Sequence, residues 1–271
     1  VTSGNGKWFY NNLNEIKELF HINEIYYGAK NHKISIGNTL KSIIGTVKII
    51  KKNSDKINTI INKIKPNVIV TDSVYMFPSI KKFGIPIIGV NNADLTVDYF
   101  RKFRNKPNSI LSQYYFIEQL DYFYHKIIPD LIISPCFLSE DIKDNSLRKK
   151  IKRVGPIVRL NIKKRIKKKD RRGAIMLSGS NFGVNVNLKN KNQPYSLDII
   201  GRSRPQNWQN KEGITFHGKI KDNISLLNSI DFCVVNGGYS ALSELFWAEI
   251  PMIVVPVPNH SEQWTNAKQI V

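Results

Sequence analysis

The residues best suited to chemistry follow an apolar run in the last quarter of the chain, from Asn236 to Glu244. This segment, NGGYSALSE, places Gly237 and Gly238 directly after DFCVV and before a predicted helix. Glycine lets the backbone approach a ligand closely, and the unpaired N–H groups at a helix start attract an anion. Ser240 is expected to cap the helix, with Glu244 one turn further on the same side. The pattern predicts a phosphate site beside an acceptor for ribose hydroxyls, although a structural glycine turn has the same composition.

A second polar segment follows the next apolar run, IPMIVVPVP. Within NHSEQWTNA, from Asn259 to Ala267, the side chains of His260, Glu262 and Gln263 stand together before another predicted helix. A sugar hydroxyl both donates and accepts hydrogen bonds, so a site that recognises sugars needs several such groups in one place. A loop that only connects two elements needs no such density. The two segments together predict the binding of a nucleotide-linked sugar.

Few other residues are placed to act as an acid or a base. Asp72 ends the apolar run VIVTD, where its carboxylate can cap the helix that follows. The remaining histidines have no carboxylate at a motif spacing and are interpreted as structural: His21, His32, His125 and His217. No Asp-x-Asp pair is present to hold a metal ion, so the sequence predicts neither a metal site nor a bound cofactor.

Alternating helices and strands must position these residues. Apolar residues recur at helical spacing up to Ile64, with Asn38 or Thr39 as the expected cap. Pro66 is expected to stop this helix. The apolar run from Val68 to Asp72 then predicts a strand buried on both faces. A short helix and a further apolar run complete a βαβ unit.

The rest of the chain continues this alternation. A helix from about Ser109 to Lys126 is rich in aromatic residues and is predicted to lie in the core or to pack against a neighbouring element. Cys136 and Cys233 lie in apolar, strand-like runs and are interpreted as buried and reduced. A second series of strands begins with AIMLS, at Ala174 to Ser178. Because open α/β sheets bind ligands at the carboxyl ends of their strands, two such units predict a binding cleft between them.

The segment from Asn236 to Ala267 resembles the donor-binding segment of GT-B glycosyltransferases. The segment contains, in order, a glycine turn, a Ser-x-x-Ser-Glu helix start, a Pro-bounded strand and an acidic-Gln pair before Asn-Ala. Among GT-B enzymes, the segment is most similar to family 28 and MurG-like enzymes. Weaker matches extend the resemblance over nearly the whole chain: PNVIVTDS at Pro66 to Ser73, VGPIVR at Val154 to Arg159, and LSGSNFG at Leu177 to Gly183. The resemblance implies an α/β fold of two Rossmann-like domains facing across a cleft.

The resemblance also implies roles for individual residues. The two glycine-containing loops would face the diphosphate, and Glu244 would hold the ribose hydroxyls. Glu262 and Gln263 would bind the donor sugar, and Asn266 would support their loop. The residues assigned to donor binding in this way are Ser178, Gly179, Ser180, Gly237, Gly238, Ser240, Glu244, His260, Glu262, Gln263 and Asn266.

The implied organisation has three parts. Residues 1–155 would form the acceptor-side domain without its first strand, residues 156–172 a basic linker, and residues 173–271 the donor domain without its last helices. Related enzymes begin with a glycine-rich loop that carries a catalytic His, but Gly4 and Gly6 are not followed by one. The chain is therefore expected to be a fragment whose catalytic base lies before Val1, with Asp72 as the partner of that base.

Composition limits the cellular setting. Of the 271 residues, 41% are hydrophobic and 23% are charged, as in ordinary globular proteins. No apolar stretch reaches the roughly 18 residues of a membrane span, and no secretion signal is visible, so the cytoplasm is expected. The net charge of +20 is densest at RKKIKR, from Arg148 to Arg153, and at KKRIKKKDRR, from Lys163 to Arg172. These runs are interpreted either as a solvated linker or as a contact with an anionic membrane surface.

The sequence as a whole predicts a metal-independent hexosyltransferase. Its donor would be a UDP-sugar such as UDP-N-acetylglucosamine, and its acceptor a hydroxyl of a lipid-linked or small molecule, reached by a peripheral enzyme on the inner membrane face. An enzyme like the UDP-sugar 2-epimerases would share the fold but would need further acidic and His residues across the cleft. A nucleic-acid-binding protein would need aromatic residues among the basic ones, and Arg148 to Arg172 contains none, so no nucleic acid is expected.

Overall fold

The chain forms two parallel β-sheets, each accompanied by helices. A computed structural model describes residues 1–3, 5–10, 15–24, 29–30, 33–34, 36–72, 74–76, 78–138, 141–166, 171–177, 195–201 and 213–270. One sheet has four strands and the other has five, and every strand pair within these two sheets is parallel. The α/β class predicted from the alternation of strands and helices is confirmed.

The N-terminal half builds the four-stranded sheet. Its elements are α1 (Asn5–Tyr10), the antiparallel pair β1 (Ala29–Lys30) and β2 (Lys33–Ile34), α2 (Ile36–Ile64), β3 (Ile69–Thr71), a 3-10 helix (Pro78–Phe83), β4 (Ile87–Val90), α3 (Ala93–Lys102), α4 (Asn108–Gln113), a π-helical turn (Tyr114–Glu118), α5 (Gln119–Ile127), β5 (Leu131–Pro135), a 3-10 turn (Asn145–Leu147) and β6 (Ile151–Val154). The sheet order is β3-β4-β5-β6. Ile57 and Ile61 of α2 pack with Ile87 of β4 in its core.

Two details of the first βαβ unit differ from expectation. Helix α2 ends at Ile64, before Pro66 as predicted, but it begins at Ile36, so neither Asn38 nor Thr39 is its cap. Strand β3 was expected to be buried on both faces, and this is wrong, because Val70 is 62% exposed. Alternate strand residues point to opposite faces. Ile69 packs toward α2, and its neighbours in the strand therefore point the other way.

The C-terminal half builds the five-stranded sheet. Its elements are β7 (Arg172–Met176), β8 (Ser196–Ile200), β9 (Ile214–Gly218), α6 (Ile224–Leu227), β10 (Phe232–Val235), α7 (Tyr239–Trp247), β11 (Met252–Val254) and α8 (Ser261–Ile270). The strand order is β11-β10-β7-β8-β9. From β7 the chain continues to β8 and then β9 on one side of β7. It then crosses to β10, which pairs with the other side of β7. The sheet therefore has a topological switch point between β7 and β10, which is where ligands bind in such sheets.

The predicted core residues are confirmed in part. Cys136 and Cys233 are both buried and free, as expected. The aromatic helix was expected to lie in the core, and Tyr114 is indeed buried against Phe100. The expectation is wrong for the opposite face, where Tyr115, Phe116, Leu120 and Phe123 are exposed. A high aromatic content indicates how much apolar surface a helix carries, but not which side meets the core.

Two arginines of the basic runs, Arg153 and Arg172, lie in strands and form ion pairs there, which differs from the interpretation of these runs as a solvated linker. Arg153 lies in β6, where its guanidinium pairs with Asp94 at 2.6 Å and donates to the Ser134 hydroxyl at 2.6 Å. Arg172 begins β7 and donates to Asp198 of β8 at 2.6 Å. These two cations therefore stabilise the sheets. Among the helices described, none is long and apolar enough to cross a membrane.

Asp198 is the centre of a buried charge cluster in the second sheet. Its side chain is 4% exposed, and its carboxylate contacts both the Arg172 guanidinium and Nε2 of His217, the latter at 2.6 Å. No carboxylate stands at a motif spacing from His217 in the sequence, but the register of β8 and β9 brings Asp198 beside it. Burial alone would raise the pKa of Asp198, but the hydrogen bonds from Arg172 and His217 outweigh it and lower the pKa.

Replacing Asp198 by Asn is expected to lower the free energy of unfolding at pH 7 by about 2–4 kcal/mol, because a buried ion pair loses one partner. Since the folded-state pKa is depressed, this contribution is complete above the unfolded pKa of about 3.9 and is lost as pH falls through the lower folded value. Urea unfolding of both proteins at pH 7 and at stepwise lower pH measures the difference, which should shrink in acid. Glu18→Gln, at an exposed pair with Lys63, should change stability by less than about 0.5 kcal/mol. A difference for Asp198→Asn that is independent of pH would contradict this assignment.

Candidate functional site

A cleft of about 520 Å³ lies where the carboxyl ends of the two sheets face each other. From the first sheet it is lined by residues that follow β3, β4 and β5, and from the second by residues that follow β10 and β11. The residues at these strand ends are Asp72, Asn91, Asn92, Pro135, Tyr239, Ser240, Val257, His260, Glu262 and Gln263. The cleft is where the two-unit pattern of the sequence predicts a binding site.

The glycine turn after β10 is held against the start of α8. The N–H groups of Gly237 and Val257 both donate to Oε1 of Gln263, at 3.1 and 3.0 Å. The side chain of Asn266 donates to the carbonyl oxygen of Gly237 at 3.0 Å, and also to Glu262 at 3.4 Å. Two residues predicted for the donor site, Gln263 and Asn266, therefore fix the glycine turn that was predicted to face the diphosphate.

The start of α7 opens toward the cleft, with a different cap from the expected one. The helix begins at Tyr239, and the cap position is Gly238, with φ −69° and ψ 127° and no side-chain hydrogen bond. Ser240 was expected to be the cap, and this is wrong because the chain enters the helix one residue earlier. Its exposed side chain instead lies in the first turn and lines the cleft. The N–H groups of this turn are available for an anion because no side chain caps them.

Glu244 has a partner that no local motif indicates. Its carboxylate accepts hydrogen bonds from Arg159, at 2.5 Å from Nε and 2.8 Å from Nη2. The same guanidinium donates to Asn223 at 2.5 Å. Arg159 lies in the segment between the two sheets and is 85 residues away from Glu244 in the chain. Arg159, in the VGPIVR segment, is therefore the partner of a residue that was predicted to bind the donor.

A cluster of ionisable groups lines the cleft. Glu118, His260 and Glu262 each place one ligand atom so that all three lie within 4.8 Å of one another. Burial and the neighbouring Glu262 raise the pKa of Glu118, and burial together with Asp121 raises the pKa of Glu262. Burial lowers the pKa of His260 to about 4, so this imidazole is neutral at pH 7. Sequence analysis singled out His260 and Glu262 but not Glu118, which is 142 residues before His260.

The side of the cleft formed by the first sheet carries two further carboxylates, those of Asp72 and Asp121. Asp121 accepts a hydrogen bond from the Tyr75 hydroxyl at 2.7 Å and pairs with Nδ1 of His125 at 3.1 Å. His125 was expected to have no carboxylate at a motif spacing, and this is wrong. The four-residue spacing between Asp121 and His125 on one helix is the signal that identifies the pair.

Helix α8 joins the two halves at the cleft. Its Trp264 ring meets the Phe100 and Phe103 rings of the first half edge-on, each at 5.9 Å between ring centroids. At its first residue, the N–H of Ser261 donates to Oε1 of Gln113 at 2.8 Å. The helix that carries Glu262 and Gln263 is therefore anchored to the opposite side of the cleft.

Part of the predicted site cannot be placed. The loop residues Ser178, Gly179 and Ser180, together with His32, lie outside the described residues. The other predicted donor residues are described, and all of them except Gly237, Gly238, Glu244 and Asn266 line the cleft directly.

Two parallel α/β sheets facing across a cleft define the GT-B fold class, and solved structures of that class share this architecture. The glycotransferase of kitacinnamycin superposes with a TM-score of 0.51 and 14% identity over 92% of this chain and 75% of its own. CalG4, the calicheamicin glycosyltransferase, superposes with a TM-score of 0.52 and 14% identity over 86% of this chain and 65% of its own. At these identities the likeness shows the fold alone. A search of curated proteins finds no match.

The family is established by a family model that covers nearly every residue. The chain belongs to glycosyl transferase family 1, whose model matches residues 1–270. The predicted class, a GT-B glycosyltransferase, is confirmed.

Proposed function

We propose that the protein transfers a sugar from a nucleoside diphosphate sugar, such as UDP-N-acetylglucosamine, to an acceptor hydroxyl. The observation that carries this proposal is the uncapped start of α7, which opens into the cleft from the glycine turn at the switch point of the second sheet. Membership of glycosyl transferase family 1 supports a transferase over an epimerase or a nucleic-acid-binding protein. The closer likeness to family 28 and MurG-like enzymes remains a prediction.

The leaving diphosphate would be stabilised by the backbone. The first N–H groups of α7 and the partial positive charge of the helix start favour the negative charge that develops on the leaving group. This step forms no bond to the protein and assigns no metal ion to the diphosphate. Glu262 and Gln263 line the cleft beside this helix start, which supports their proposed contact with the donor sugar.

The acceptor would enter from the first sheet. A base must remove the proton of the acceptor hydroxyl as the sugar is transferred. Asp72 lies at the carboxyl end of β3 and lines the cleft there, which supports its proposed role as the partner of that base. The acceptor is proposed to be a small or lipid-linked molecule. The enzyme is proposed to be cytoplasmic and to bind the inner membrane face through its net charge of +20. Either kind of acceptor is accessible from that position.

Glu244 is proposed to hold the ribose while it remains paired with Arg159. A carboxylate has about four lone-pair positions, so its two bonds to Arg159 leave capacity for the donor hydroxyls. Arg159 would orient the carboxylate in the same way in the free and the bound protein. Glu244→Gln keeps the shape but removes the charge that holds the guanidinium, and it is expected to weaken nucleotide binding about tenfold or more, or about 1.4 kcal/mol.

Calorimetry tests the donor site with the intact chain. UDP, UDP-glucose, UDP-N-acetylglucosamine and thymidine diphosphate are titrated into the wild type, into Glu244→Gln and into Glu249→Gln. Glu249 is an exposed matched control, 69% exposed in a pair with Lys164, and its variant should bind as the wild type does. The donor proposal fails if none of the four nucleotides binds the wild type, or if Glu244→Gln binds them unchanged.

A further inference from the structure

The outward side of the helical segment from Tyr114 to Ile127 carries only apolar side chains. In this segment, which comprises the π-helical turn and α5, each exposed residue is aromatic or aliphatic. Most of them recur three or four residues apart, which places them along one side of a helix. A contiguous exposed set of this kind, unlike single apolar residues, indicates a surface that meets a partner. We call this set the apolar stripe, and its members are between 44% and 62% exposed: Tyr115, Phe116, Leu120, Phe123 and Ile127.

Basic residues lie at both ends of the apolar stripe. Before it, the segment RKFRNK, from Arg101 to Lys106, carries four cations in six residues. The Arg101 guanidinium lies beside the Tyr114 hydroxyl at the start of the helical segment. At the other end, Nζ of Lys150 donates to the carbonyl oxygen of Lys126 at 2.8 Å. The neighbours of Lys150 in the chain add further exposed cations, which are Arg148, Lys149 and Lys152.

The carboxylates that lie closest to the apolar stripe in the chain are bound to other side chains. Asp121 of α5 pairs with Nδ1 of His125 at 3.1 Å. Asp144 pairs with Nζ of Lys126 at 2.7 Å, and this hydrogen bond holds the pKa of Asp144 well below its usual range. Neither aspartate belongs to the exposed side of the helical segment. The stripe is therefore an apolar surface with positively charged ends.

This pattern complements an anionic lipid surface better than a second copy of the chain. A symmetric contact between two copies brings the same patch of each against the other. Because both ends of the stripe are basic, like charges would meet in either orientation, between two chains that each carry a net charge of +20. An anionic bilayer instead attracts both ends through its headgroups and accepts the apolar side chains between them.

We propose that the apolar stripe enters the headgroup region of an anionic phospholipid bilayer, with its basic ends bound to lipid phosphates. This proposal rests on the membrane location proposed above and deepens it by assigning the face that makes the contact. Another side of the same helical segment lines the cleft through Ile117, Glu118 and Asp121. The cleft would therefore lie beside the bilayer, which favours a lipid-linked acceptor over a small soluble one.

Flotation of the intact chain with lipid vesicles, without donor or acceptor, tests this proposal independently of sugar transfer. The wild type is expected to bind vesicles of equal parts phosphatidylcholine and phosphatidylglycerol, and to bind phosphatidylcholine vesicles more weakly. Raised salt should weaken the binding without abolishing it, because apolar burial does not depend on charge. The double variant Leu120→Gln, Phe123→Gln should lose about tenfold or more in partitioning, since two buried apolar side chains are removed from the lipid.

Two variants separate the apolar contact from other effects. Phe123→Trp should bind as the wild type does, because tryptophan suits the membrane interface. Ile253→Gln is the matched control: Ile253 is 63% exposed on β11 of the second half, close to the 58% of Leu120, and its variant should also bind normally.

Four results would overturn the assignment of this face. They are no binding of the wild type to anionic vesicles, complete loss of binding in high salt, equal binding to neutral vesicles, and unchanged binding in a double variant that unfolds at the wild-type temperature. Sedimentation velocity adds a fifth, a wild-type dimer that the double variant converts to a monomer, which would assign the stripe to a second copy. Calorimetry with UDP on the same samples separates this proposal from the donor proposal, because a chain that binds UDP but not vesicles contradicts only the lipid contact.

Discussion

Gly237→Ala is expected to destabilise the second half of the protein by about 2–3 kcal/mol, toward the upper end of the cost of overpacking a close-packed site. A Cβ atom at Gly237 would overlap the carbonyl oxygen of Gln263 and lie 2.9 Å from its Cβ. The first of these is a backbone atom, so no side-chain rotation relieves the clash. The glycine turn and the start of α8 must separate, which breaks the hydrogen bonds from Gly237 and Val257 to Gln263.

Nucleotide affinity should fall with stability in Gly237→Ala, because the same turn leads into the proposed diphosphate site. Thermal or urea unfolding measures the first effect, and calorimetry with UDP measures the second. Gly238→Ala is the matched control, since a Cβ at Gly238 meets nothing within 4 Å and its φ of −69° suits any residue. Its stability should change by less than about 0.5 kcal/mol, as for ordinary surface substitutions. Equal stability losses in the two variants would show that the Gly237–Gln263 contact does not fix the turn.

Trp264→Ala is expected to lower the free energy of unfolding by about 2–4 kcal/mol, somewhat less than for a fully buried aromatic residue because this ring is half-buried. Trp264 reaches from α8 into the cluster formed by Val97, Phe100, Ile110 and Tyr114 of the first half. Its loss removes the main apolar contact that holds α8 across the cleft. Sugar transfer should therefore fall more steeply than nucleotide binding, since the acceptor side loses its fixed position relative to Glu262.

The control for Trp264→Ala is a second tryptophan. Trp247 is 45% exposed at the end of α7, where its ring makes a cation–π contact with Lys164. Trp247→Ala should cost about 1 kcal/mol or less. Denaturant unfolding and initial rates with each proposed donor compare the two variants. If transfer and binding decline in parallel for Trp264→Ala, the helix does not set the relative position of the two halves.

Features that depend on neighbouring residues were predictable from the sequence. Strand and helix alternation follows from local hydrophobic spacing, and it identified the parallel architecture. Pro66 ends α2 because its ring excludes the preceding residue from helical geometry. Cys233 within β10 and Cys136 directly after β5 are buried because both lie in apolar runs. The glycine turn at Gly237 was identified because its residues are contiguous.

Burial was predicted wrongly where the apolar pattern shows how many apolar side chains an element carries but not which of its faces packs against the core. The aromatic helix has two apolar faces, and only the side of Tyr114 meets the core, since Phe100 and Trp264 pack there. Val70 is as apolar as Ile69, yet they point to opposite sides of β3. The Asp121–His125 pair was a different kind of error, because its helical spacing was visible in the sequence.

What the sequence determined by itself is the glycosyltransferase class, and the donor segment from Asn236 to Ala267 stays a prediction. Tertiary structure alone decided which distant groups meet: Arg159 with Glu244, and Glu118 with His260 and Glu262. The physical reason is that the first contact depends on how the segment after β6 packs against α7, and the second on how α8 packs against the first half. No local pattern encodes this packing, because its free energy comes from side chains that are far apart in the chain.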